Sequence, residues 1–294
     1  RDGGGRGRMT VTVPRPVQPP SGAAPGPTRA RLHPPAATLA GVMLVLAGAV
    51  YASPLVEFVH DGPVSPQDSY LSELSARSQP GSWAFRLADG LAGALLLTAA
   101  VLVTVLMVGA RRRARLRRTA ASGGEARGTA GAVVRGGAAS SPLGTLTAHL
   151  PVQAVAVAAL AVFGVATVLD AAFPLDCPVS QEWCVALERA GEVSAAHHVH
   201  TVTSVLASTA STTLACAVVV AGVVRSPRMH ATAVEAALAA GVILTTVGFG
   251  VWYLVFDGVP GDIQRLNTLC VCAVLVGAGV GLIRGRTTVP GRAG

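Results

Sequence analysis

LDAAFPLDCPVSQEWCVALERAGEVSAAHHVH, Leu169–His200, is the longest polar interruption between two strongly apolar runs of the chain. It holds five carboxylates (Asp170, Asp176, Glu182, Glu188 and Glu192), two of the five cysteines and three of the seven histidines. The apolar runs on either side, 145–169 and 194–224, reach the length of about 20 residues that a helix needs to cross a bilayer. This pattern of long apolar runs joined by polar stretches decides the fold class, and it repeats along the chain.

Four further runs follow the same pattern, at about 36–56, 84–110, 231–256 and 263–283. Of 294 residues, 51% are hydrophobic and only 13% are charged, against about 25% charged in an ordinary soluble domain. Much of the surface therefore does not face water. The expected class is an all-α polytopic membrane protein with six transmembrane helices.

All 23 basic residues are arginine and the formal net charge is +8. In a soluble protein such a charge would suggest nucleic acid, but here the arginines sit beside apolar runs, where membrane topology explains them. The absence of lysine matches the coding bias of a GC-rich genome and is not read as phosphate recognition. Nineteen of the 23 arginines fall in the N-terminal tail, the 111–141 linker, the 225–230 turn and the C-terminal tail; the others are Arg77, Arg86, Arg189 and Arg265. The opposite side carries 12 of the 15 acids, all but Asp2, Glu125 and Glu235. This alternation predicts a plasma-membrane protein with both termini cytoplasmic.

The remaining segments follow from composition. Residues 1–35 are rich in Arg, Pro and Gly and predict a disordered tail, with Met9 a candidate start. No compact apolar segment with a cleavage site follows, so no secretory signal is read there. The membrane domain spans 36–284, interrupted by the basic linker 111–141, which is expected to be flexible, and residues 285–294 form a cytoplasmic tail. Within the first polar loop, Ser65 to Gly81 predicts a short surface helix capped by Ser65 or Asp68. No ATP loop, haem motif or nucleic-acid module is visible. The arginine run from Arg111 to Arg118 is expected to meet anionic membrane lipids. Protein partners are not legible.

Cys177 and Cys184 fall on the expected outer side, where the compartment is oxidising, and predict a disulfide around Pro178–Trp183. Cys216, Cys270 and Cys272 lie in spans and read as small apolar residues. The fourth span carries a polar stripe. Taking His197 as origin, His200, Thr201, Ser204, Ser208, Ser211 and Thr212 lie within about 60° of it at 100° per residue. The stripe descends roughly 22 Å at 1.5 Å per residue. Two readings stay open: close helix packing through small residues bonded to their own backbone, or a polar cavity opening outward and floored by the stripe.

Candidate site residues are Glu73, Asp89, Asp170, His197 and His200. His197 and His200 are three apart and could share a ligand, and with Asp89 they form the candidate metal set, zinc being the metal that histidine and carboxylate suit. No tight ligand spacing such as HExxH is present. An acid inside a span usually has a partner or a job, and Arg86, one turn before Asp89, is the ready partner.

The segments SYLSELSARSQPGSWAFRLADGLAGALL, LDAAFPLDC and SAAHHVHTVTSVLAS together resemble the six-helix bacterial membrane proteins grouped as domain of unknown function 998. The resemblance rests on Ser72-Glu73-Leu74, on Asp89, on Asp170 with Phe173-Pro174 and Asp176, and on His197 to His200. It covers about Ala36 to Ile283 without the basic linker, and implies the topology but no activity. A more distant likeness is to the membrane hydrolases that include alkaline ceramidases, which hold zinc with Ser, Asp and three His at one membrane face. This chain departs from them in lacking a late-helix HxxxH pair and any histidine between Ala231 and Ile283. Three functions are therefore carried forward: a non-enzymatic membrane component related to lipid or envelope, a metal-dependent hydrolase of a lipid head group, and a small transporter using Asp89 and the Ser/Thr stripe.

Overall fold

The computed structural model describes residues 35–52, 57, 64–125, 143–224, 230–256 and 258–285. The expected tails, Met9, Pro54, Asp257 and residues 126–142 of the linker lie outside the described residues. Those described are all-helical, with no strand. The helices are α1 (Pro35–Tyr51), α2 (Ser82–Glu125), α3 (Leu143–Ala172), α4 (Glu182–Ala190), α5 (Ala195–Val224), α6 (His230–Val255) and α7 (Gly261–Ile283).

Five of them, α2, α3, α5, α6 and α7, are long and apolar enough to cross a membrane. The first is apolar but only 17 residues long, about 25 Å at 1.5 Å per residue. The six long or apolar helices pack in chain order around a ring: α1 on α2, α2 on α3, α3 on α5, α5 on α6, α6 on α7, and α7 back on α1. A ring of helices leaves a central space that side chains must fill. In one half it is filled by an apolar cluster that includes Leu44, Leu96, Leu160, Phe163, Val242 and Leu275. In the other half, at the end carrying the Cys177–Cys184 disulfide, it is polar and partly open.

Large apolar side chains lie on the outside of the ring. Val202, Val205, Leu206, Leu244, Val251 and Leu254 are all exposed. A soluble monomer does not present so continuous an apolar belt, whereas a bilayer solvates it. The polar stripe of α5 faces the other way, its His197, His200 and Ser211 buried. Thr201, Ser211 and Thr212 donate to the carbonyls of His197 and Ser208 about one turn earlier, while Ser204, Ser208 and Ser211 line a central cavity.

The structure departs from the expected local elements in three places. Ser65 to Gly81 is not a surface helix. Only Leu71–Ser75 forms a single 3-10 turn, because Ser65 donates to its own neighbours Gln67 and Asp68 rather than capping a helix. The linker does not begin at Arg111. Helix α2 runs on to Glu125, since Arg and Ala are strong helix formers and need no burial to continue one. The loop after α3 holds an extra helix, α4, closed by Gly191 at φ 70°, a left-handed cap that glycine adopts without strain.

Candidate functional site

The two polar loops at the disulfide end fold together as a cap. Glu73 is completely buried. Its carboxylate accepts from the Ser180 amide (3.1 Å) and hydroxyl (2.6 Å) and from the Tyr70 amide (3.2 Å). It therefore ties the 3-10 turn to the disulfide loop. Burial pushes the Glu73 carboxyl above its usual range, against the pull of the Ser180 and Tyr70 donors and the Arg265 charge. Arg265 grips both oxygens of Glu57 at 2.6 and 2.5 Å and donates to the carbonyls of Ser69 and Gly261. The Gln264 side chain accepts from the Leu71 amide at 2.7 Å. The first loop is thus fixed to the start of α7.

Asp176 joins the other side of the cap. It accepts from the Ser194 amide at 2.6 Å and hydroxyl at 3.0 Å, and pairs with Arg77 at 3.1 Å. Burial opposes its charge, but the two Ser194 donors, with Arg77 and His197 beside them, outweigh it and hold its carboxyl below the usual range. A carboxyl so lowered contributes stability that is present above its unfolded value of about 4 and disappears as the pH falls through its folded value. We expect the cap to loosen below about pH 4, read as faster protease cleavage at 176–194. Asp176→Asn should cleave faster at neutral pH and lose the acid dependence; an unchanged pH profile in that variant would refute the assignment.

His197 is fully buried in this cap. Its Nδ1 accepts from the Asp176 amide at 3.2 Å, and its Nε2 donates to Glu188 at 2.8 Å. Both nitrogens are engaged, so the ring has none to share with His200. The expected pairing of His197 and His200 on one ligand is corrected here. The rings sit on one helix face, but His197 turns up toward α4 while His200 turns toward the end of α3. Among the described residues no group of three or more His, Cys, Asp or Glu is placed to hold a metal ion. The set His197, His200 and Asp89 does not fit zinc.

His200 belongs to a different environment. It is nearly fully buried, and its Nδ1 lies 3.1 Å from the Phe173 carbonyl and 3.3 Å from that of Asp170. Carbonyls only accept, so the Nδ1 carries the proton. In the neutral ring the Nε2 is then a lone pair, and it is buried with no hydrogen-bond partner among the described residues. Beside it, Asp170 accepts from the hydroxyls of Thr203 and Ser204 and lies 3.7 Å from His200 Nδ1.

Asp89 reaches the same place from α2. Asp89, Asp170 and His200 all line one cavity of about 120 Å³, with Tyr51 from α1 and Asn267 from α7. The expected pairing of Asp89 with Arg86 is absent: no hydrogen bond or ion pair joins them among the described residues, and the Arg86 Nε is itself buried without a partner. One helical turn separates the two residues, but their side chains do not meet.

Sequence reasoning missed Asn267. Its amide nitrogen donates to Val242, Thr245 and Thr246 on α6, which leaves its carbonyl oxygen toward the cavity it lines. The available signal was a pair of amides, Gln264 and Asn267, inside an apolar run, where polar side chains are unfavourable without a partner. Glu73 does not enter the cavity; it positions the turn whose Leu71, Ser72 and Ser75 form the rim.

Five long apolar helices, an apolar exterior and a polar cavity at one end define a multi-pass α-helical membrane protein. Residues 128–281 match the family model described as Protein of unknown function (DUF998), and the chain belongs to that family. The matched region runs through α3 to α7, so Asp170, His200 and Asn267 fall inside it, and Glu73 and Asp89 outside. No curated protein and no solved structure matches the chain. The likeness to alkaline ceramidases has no counterpart in these comparisons.

Proposed function

We propose that the chain is a six-span plasma-membrane protein with both termini cytoplasmic, and that its cavity is a blind pocket opening to the outside. The pocket binds a small polar ligand or a lipid head group, which makes the protein a non-enzymatic membrane component. The observation that carries this reading is where the polar lining stops. It runs from the rim down α5 to Ser211, the seventeenth residue of a 30-residue helix, about halfway through the membrane. Phe163 and Val271 close it there, above the apolar cluster of Leu96, Leu160 and Leu275. A through-pathway needs polar lining on both sides of that floor.

The sixth span is α1, which is short but packed along both α2 and α7; a local thinning or a small mismatch accommodates its length. The arginine distribution supports the orientation. A transporter reading draws on Asp89, which lines the cavity with no partner among the described residues, and it requires the floor to open. A metal-dependent hydrolase of lipid head groups is the least supported, because the donors do not converge.

Thiol labelling tests the pocket. With Cys216, Cys270 and Cys272 replaced by Ala, Ser208→Cys is expected to react with a membrane-impermeant thiol reagent in intact cells. Val219→Cys, two turns or more below the floor, is expected to stay unlabelled. Labelling of Ser208→Cys only after cells are opened would reverse the orientation, and equal labelling of both would favour a through-pathway.

A further inference from the structure

Several polar groups of the cavity have no donor facing them among the described residues. Asp89 has no hydrogen bond or ion pair among the described residues. His200 Nε2 is buried with no hydrogen-bond partner among the described residues. Asn267 has committed its amide hydrogens to α6, so its carbonyl oxygen is what remains. Asp170 receives two hydroxyl donors, from Thr203 and Ser204, which neutralise no charge.

Among the described residues no arginine lines the cavity, and the chain has no lysine. No ion pair joins an arginine to a cavity carboxylate among the described residues. Arg265 is spent on Glu57 and Ser69, Arg77 on Asp176, and Arg86 is not paired with either cavity carboxylate. Two carboxylates at membrane depth without a guanidinium or ammonium partner are costly, and a buried polar atom without a partner adds to that.

We propose that the pocket takes the primary ammonium group of an amine, and this rests on the pocket reading above. An ammonium brings a permanent positive charge with three N–H donors on a single atom. It can face Asp89 and Asp170 and donate at the same time to His200 Nε2 or the Asn267 carbonyl. A bare metal ion is disfavoured because it needs a compact set of ligands, which the described residues do not form. A quaternary ammonium supplies the charge but no N–H, and would leave His200 Nε2 unsatisfied. The amine arrives either free in solution or as the head group of an aminophospholipid in the outer leaflet, and the chemistry of recognition is the same.

The test uses the full-length protein in nanodiscs of phosphatidylglycerol, titrated with ethanolammonium chloride and followed by its thermal midpoint. A saturable rise is expected, with tetramethylammonium and sodium chloride at equal concentration giving none. Asp89→Asn removes a charge that makes no bond in the resting protein, and should weaken ethanolammonium by at least about thirtyfold, as when one partner of a desolvated charge pair is removed. If the lipid is the source, nanodiscs containing phosphatidylethanolamine will already be stabilised and free ethanolammonium will add nothing; if the amine is free, both nanodiscs will respond alike. An equal rise with sodium or tetramethylammonium, or an undiminished rise in Asp89→Asn, would overturn the proposal. No rise in either nanodisc, with Ser208→Cys labelled from outside, would overturn the amine and leave the pocket standing. Should Asp89→Asn not fold, the comparison of the three cations on the unaltered protein decides. Failure of Ser208→Cys to label would remove pocket and amine together.

Discussion

Glu73→Ala is expected to lower the thermal midpoint by on the order of 10 °C and to expose the disulfide loop to protease. The substitution orphans three donors at once: the Ser180 amide, the Ser180 hydroxyl and the Tyr70 amide. Each unsatisfied buried donor costs about 1–3 kcal/mol, and part is recovered as water enters the opened cap. A net loss of about 3–5 kcal/mol at roughly 2–4 °C per kcal/mol gives that shift. Glu73→Gln keeps the shape and one acceptor oxygen but turns an amide nitrogen toward donors, so it should fall between. The pH dependence separates the two. A carboxyl raised by burial favours folding most at low pH, and that advantage is lost as the pH rises through its folded value. Glu73→Gln should therefore lose least, relative to the unaltered protein, at the upper end of the pH range. A midpoint unchanged in Glu73→Ala would mean that the cap is not held by this residue.

Gly93→Val should have an effect at least as large, through a different cause. A Cβ on Gly93 would lie 2.7 Å from the Gly164 carbonyl oxygen and 2.9 Å from the Val168 amide nitrogen, and a Cβ on Gly164 would lie 2.9 Å from the Gly93 carbonyl. Helices α2 and α3 touch backbone to backbone at this point, as small residues allow in membranes. Backbone cannot swing aside like a side-chain tip, so the helices must part. Overpacking of this kind costs on the order of 3 kcal/mol or more. Asp89 is one turn above Gly93, so the same separation moves one cavity carboxylate relative to the other. Gly90→Ala is the control: its Cβ would sit 3.6 Å from Ala171 Cβ, ordinary contact, and the variant should behave as the unaltered protein does. The measure is the folded fraction surviving heat in detergent. If both variants survive equally, the close approach of α2 and α3 does not hold in the membrane.

Much of the architecture was legible because a bilayer imposes a simple rule on sequence. Spanning helices must be apolar for about 20 residues, so α2, α3, α5, α6 and α7 announce themselves, and an all-helical fold follows. The 3.6-residue period put Ser204, Ser208 and Ser211 on one inward face of α5, and these three do line the cavity. The polar loops were harder. Their residues satisfy each other across 100 or more positions, as Glu73 does with Ser180, and no local rule distinguishes a turn held from afar from a helix held by its own caps. This is why Ser65 to Gly81 reads as a helix and folds as a 3-10 turn.

The site shows the same division. Residue types and helical period single out Asp89, Asp170 and His200 without coordinates, since an acid or imidazole within or beside an apolar run is rare enough to need a reason. Periodicity fixes which face of a helix a residue occupies, but not the rotamer, nor what the neighbouring helix brings to it. His197 and His200 share a face and part company because one meets Glu188 and the other the carbonyls at the end of α3. Asn267 joins the cavity while α6 takes its amide hydrogens, and Asp89 lines it with no partner among the described residues. Those outcomes depend on how six helices close into a ring, a contact between residues far apart in the chain that no single segment encodes.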